Sequence, residues 1–201
     1  MPNDVSLTLL TQARFALEAK DVDAAVAGFL RAAGLLSAQG LLADAQEARL
    51  AASAALVGHD TQRAEALWLG LCRLVPASGA AAAQRGLLGA RIALDLGHLS
   101  DALQRLEHAS EGALDVRDPM AYLACASQAA AVHVQLGERV LAYGRLATAW
   151  VTLSDLIGAE AAARWVRPLM VELRAGLGEA EFNRVKQRYE AGRRGDAGNA
   201  G

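Results

Sequence analysis

Aromatic side chains are scarce in this chain, nine among 201 residues, so stacked rings cannot hold its core together. Proline is scarcer still, with four. Val and Ile are sparse and turn dipeptides at strand spacing are few, which excludes a predominantly sheet-built protein. Lysine is almost missing: Lys20 and Lys186 stand beside 18 Arg, the mark of a GC-rich coding sequence. The two cysteines, Cys72 and Cys125, lie far apart among apolar neighbours and read as reduced core residues rather than a disulfide staple.

No sign of charge dominates either. A net charge of −2 and a pI near 6.1 give no broad field to attract nucleic acid. Residues 164–201 hold eight Arg or Lys against five Asp or Glu, a weakly basic end that reads as a solvated helix face. The uncharged segment Met120–Leu136 is 17 residues long and contains Gln128, His133 and Gln135, too short and too polar to span a bilayer. Met1-Pro2-Asn3-Asp4 lacks the basic start and apolar run of a secretory signal. The expectation is a cytoplasmic protein without membrane insertion and without a nucleic-acid partner.

Chemical constellations are lacking too. There is no Gly-rich phosphate loop, nucleophile elbow or paired-cysteine motif. His59, His98, His108 and His133 never share the three- or four-residue spacing that brings two ligands together on a helix. No catalytic residue, metal or cofactor is expected, and the chain reads as a non-enzyme.

What the chain has in abundance is Ala and Leu, the residues that lose least entropy in a helix, and they recur. Ala25, Ala64, Ala102 and Ala142 each follow a polar turn and are 39, 38 and 40 residues apart. Four residues after each comes a large apolar residue, Phe29, Trp68, Leu106 or Leu146, and seven after each comes Ala32, Leu71, Ala109 or Ala149. Spacings of four and seven fall on one helical face. Twelve residues before each anchor stands another alanine, Ala13, Ala52, Ala90 or Ala130, on a preceding helix, and two facing alanines let helix axes approach closely. A fifth copy around Ala180 places Arg184 and Gln187 where the pattern wants apolar residues, as a solvated cap would, while Phe182, Val185 and Tyr189 keep one inward stripe.

The periodicity predicts helices near 5–19, 22–37, 41–57, 61–75, 79–96, 100–111, 119–136, 138–153, 158–175 and 179–192, with Asp21, Asp60, Ser78, Ser100 and Asp118 as caps. Pro168 falls inside the ninth and is expected to kink it. Residues 1–192 read as a single repeat domain, and 193–201 as a disordered, Gly-rich tail.

The stretch Leu96-Gly97-His98-Leu99-Ser100-Asp101-Ala102-Leu103-Gln104-Arg105-Leu106-Glu107-His108-Ala109 resembles the second helix of a tetratricopeptide repeat, and Pro76 stands where such a repeat often ends. The period is longer than the family's roughly 34 residues, and Ala or Leu replaces most of its first-helix aromatics. The resemblance implies an all-α, right-handed α-solenoid of about five antiparallel helix pairs. Its concave groove would be lined by first helices and would hold peptides or helices of other proteins. Laid on that pattern, Arg14, Gln46, Arg49, Ser53, Gln84, Arg91, Ser127, Gln128, Gln135 and Trp165 fall on or near the groove. Arg14, Arg49 and Arg91, on successive first helices, would suit an acidic or carboxyl-terminal peptide. The expected function is a protein–protein interaction scaffold or adaptor, with self-association as one form of it. The alternative is a regulatory sensor that closes on a small molecule or signalling peptide.

Overall fold

The computed structural model describes residues 4–74 and 76–198, with side chains up to Arg193. Among these the chain forms ten α-helices and no strand: α1 (Asp4–Glu18), α2 (Val22–Ala38), α3 (Leu42–Leu56), α4 (Thr61–Leu74), α5 (Gly79–Asp95), α6 (Leu99–Asp115), α7 (Pro119–Gln135), α8 (Arg139–Ile157), α9 (Ala159–Leu177) and α10 (Glu179–Gly198). The all-α helical-repeat expectation holds.

Packing divides the chain into two compact units, Met1–Ala77 with Leu88–Asp101, and Ser78–Leu87 with Ala102–Gly201. In the first, α1 packs on α2, α2 on α3 and α3 on α4; in the second, α7 packs on α8, α8 on α9, and α10 on both α8 and α9.

The repeat in the sequence falls at one place in each second helix. Ala25, Ala64, Ala102 and Ala142 are each the fourth residue of α2, α4, α6 and α8, and each is 0% exposed. Ala13, Ala52 and Ala130, on odd-numbered helices, share core clusters with Ala25, Ala64 and Ala142; Ala90 is buried as well, and so are Phe29, Trp68, Leu106 and Leu146 one turn on from the anchors. The division of labour is physical. Burying each large side chain is worth about 1.5–3 kcal/mol, whereas the alanines set how near the helices come. Polar contacts between neighbouring second helices keep the same period: Arg63 pairs with Asp23 at 3.1 Å, Arg139 with Glu181 at 3.1 Å, and Arg145 with Glu107. The partners are 40, 42 and 38 residues apart. These exposed pairs contribute about 0–1 kcal/mol each, so they mark register more than they stabilise it.

Eight of the nine connections between helices carry one residue of positive φ, at Lys20, Gly40, Gly58, Gly97, Arg117, Gly137, Gly158 and Gly178, and α5 opens on Gly79 with φ of the same sign. In five of them the next residue's N–H bonds back five positions: Asp21 to Ala16, Leu41 to Leu36, His98 to Ala93, Asp118 to Ala113 and Glu138 to His133, at 2.8 or 2.9 Å. That bond satisfies a helix-end carbonyl and stops the helix. Asp21, Asp60 and Asp118 accept from backbone N–H groups of the following turn, as caps.

Three helices outrun their expected ends by four residues or more. α6 continues past 111 to Asp115 because Gly112 is a contact residue and not a stop: a Cβ there would lie 2.6 Å from the Gly79 carbonyl oxygen. α8 reaches Ile157, where Gly158 at φ +88° turns the chain. α10 extends to Gly198, and residues 199–201 of the expected tail lie outside the described residues. α9 runs on through Pro168, which is exposed. In α10, Val185 is buried, and Phe182 and Tyr189 meet Tyr143 edge-on with centroids 5.6 and 5.4 Å away.

One substitution at two glycines tests this account. Gly34 is exposed within α2 with nothing within 4 Å of a new Cβ, so Gly34→Ala should raise stability by about 0.5–1 kcal/mol. Gly89 would place a Cβ 2.3 Å from Cζ2 of Trp68, so Gly89→Ala should cost about 1–3 kcal/mol. Urea unfolding of both variants reads the opposite signs.

Candidate functional site

α7 and α9 both rest on α8, and a groove of about 600 Å³ opens between them. Leu146, the large residue of the fourth repeat, lines it from α8, with Ala130 and Ala131 from α7 and Leu169, Leu173 and Leu177 from α9. Small residues, with Gly176, leave the depth, and leucines supply the apolar surface. Ser127, Gln128 and Gln135 of α7 and Glu172 of α9 are its polar members. Glu172 is the sole charged side chain of the lining. The α7 residues span 127–135 and the α9 residues 169–177, so at 1.5 Å per residue the groove is about 12 Å long, two helical turns.

Of the ten side chains expected at a groove, the structure brings three together here, Ser127, Gln128 and Gln135. Trp165 is half-buried on α9, one turn before Leu169 and on the same side of the helix, but outside the lining. Gln84 is exposed on α5. The other five lie in the first unit. Arg14 is exposed, Gln46 is half-buried, and Arg49 donates to the Ser37 hydroxyl at 2.9 Å. Arg91 pairs with Asp95 at 3.0 Å, one turn on. Ser53 is fully buried, and its hydroxyl donates to the Ala64 carbonyl at 2.9 Å, tying α3 to α4, so it offers no atom to a partner.

The α9 wall escaped the sequence reading. Its signal is present, since residues 169, 173 and 177 recur every fourth position, yet the same stripe would serve a buried helix equally well. Among the described residues no cluster of three or more His, Cys, Asp or Glu side chains could hold a metal, and no helix is long and apolar enough to cross a membrane.

No protein-family model matches the chain, and no curated protein or solved structure matches it either.

On the other side of α7, Cys125 is 1% exposed, and burial pushes its thiol up to about 11. The thiolate is the nucleophile, so this thiol is inert near neutrality. Cys125 should resist a disulfide reagent at pH 8 in the folded protein and react within minutes in urea, as read by mass spectrometry of the labelled peptides.

Proposed function

We propose that this chain is a protein-binding scaffold of the tetratricopeptide-like kind, and that the α7/α9 groove receives an amphipathic helix of a partner protein. The carrying observation is that two first helices enclose an apolar trough two turns long with one carboxylate in its lining. A trough of that length fits apolar side chains at i, i+3 or i+4, and i+7 of a docked helix. The amides of Gln128 and Gln135 and the Ser127 hydroxyl can bond polar groups flanking that stripe, and Glu172 favours a Lys or Arg beside it.

This reading refines the expected ligand. An acidic peptide would need the arginines of the first unit, where Arg49 and Arg91 already hold internal partners. The groove lining offers a carboxylate instead. It brings together no acid–base pair for chemistry, which supports binding over catalysis.

Ala131 lines the groove and is exposed, so it can be enlarged without touching the core. A native partner that co-purifies with the wild type should bind Ala131→Arg at least about tenfold more weakly, and Glu172→Lys severalfold more weakly. The double variant Arg49→Glu, Arg91→Glu should bind as the wild type does. Equal affinity for wild type and Ala131→Arg would remove the groove from the function, and loss confined to the arginine variant would restore the acidic-peptide reading.

A further inference from the structure

At 100° per residue, the α7 positions 127, 128, 130, 131, 134 and 135 that line the groove fall on one side of the helix, and Tyr122, Cys125, Ala126, Ala129 and His133 fall on the opposite side. That second side borders a separate pocket of about 390 Å³, walled by α6 and α8 and reached by Tyr189 of α10. The volume suits a small organic molecule, for which sites run from about 300 to 1,000 Å³.

Most polar groups around this pocket are already engaged. Glu107 and Arg145 pair with each other. The Tyr122 hydroxyl donates to Thr152 at 3.3 Å, and the hydroxyls of Thr148 and Tyr189 face each other at 3.5 Å. His133 differs. It is only 7% exposed, and its Nδ1 lies 2.7 Å from Oε2 of Glu138. A carboxylate at that distance holds the proton on Nδ1 and fixes the ring. Nε2 has no hydrogen-bond partner among the described residues, yet no side-chain nitrogen or oxygen is both sealed off and unbonded. Nε2 thus keeps some exposure, and His133 is a lining residue of the pocket.

We infer that this pocket binds a small, largely apolar molecule carrying one acidic hydroxyl, of the phenol or enol class, hydrogen-bonded to His133 Nε2. The apolar body lies against Leu106, Leu141, Ala129 and the Tyr189 ring, which border the same space. An acidic hydroxyl suits either state of the ring. Neutral imidazole accepts its proton in a hydrogen bond, imidazolium donates to its oxyanion, and in both cases one proton lies between Nε2 and oxygen. Glu138, behind the ring, stabilises the positive charge in the second case. The site is independent of the helix-binding groove.

Calorimetric titration with 4-nitrophenol and with 4-nitrotoluene, its analogue lacking the hydroxyl, tests the assignment. Wild type should bind the phenol about tenfold more tightly than the toluene. His133→Phe, which keeps the ring and removes the acceptor, should lose that preference and leave toluene binding unchanged. Glu138→Gln, at a half-exposed side chain outside the pocket lining, should weaken phenol binding about threefold. No saturable binding of nitrophenol to wild type, equal affinity for the two probes, or undiminished phenol binding by His133→Phe would overturn the proposal. If circular dichroism finds His133→Phe unfolded, unchanged phenol affinity in Glu138→Gln overturns it instead. Partner-helix binding to the groove should be the same in all three proteins, so failure here leaves that reading intact.

Discussion

Close approach of helices across paired alanines is the constraint on which this molecule is organised. A methyl group on each side leaves nothing to separate the backbones, so the axes come near enough for the large residue one turn later to fill the remaining space. At Ala25, Ala64 and Ala142, fully buried at the same place in their helices and clustered with an alanine of the preceding helix, a larger side chain would force the hairpin apart. Glycine extends the device where even a methyl is too much, as at Gly89 under Trp68 and Gly112 against the Gly79 carbonyl. The scarcity of aromatics follows from this, because a core built on contact between backbones has few places for a ring.

The groove is a by-product of the same arrangement. α7 and α9 each pack on α8 and are held apart by it, so a trough is left wherever their facing residues are small. Leu146 serves the core and also lines that trough. Stability and binding surface thus share a residue, and the proposed partner helix would bury a face that α8 leaves uncovered.

Much of this is legible in the amino-acid sequence. The 38- to 40-residue spacing of four alanines located the hairpins, and Asp118-Pro119 fixed the start of α7 almost to the residue. Helix ends were harder where the stop lies in backbone conformation. Lys20 and Arg117 take the left-handed position that glycine fills in six other connections, and nothing in their side chains announces it. The candidate site was legible in part. Period and face put Ser127, Gln128 and Gln135 on one side of α7, where all three line the trough, but polarity alone could not separate Ser53, whose hydroxyl is spent on the Ala64 carbonyl, from a serine facing solvent. The α9 wall was missed because an apolar stripe has the same period whether it meets a neighbouring helix or an empty trough. His133 is buried, and its place at the edge of a cavity is a matter of neighbours, which no spacing encodes.

α7 is a party wall. One long side faces the trough beside α9 and the other faces the chamber beneath α6 and α8. Its small side chains, Ala126, Ala129, Ala130 and Ala131, make that partition thin, little more than the width of a bare helical backbone. Its two lined sides share no residue, so a substitution can alter one chamber's lining and leave the other's whole.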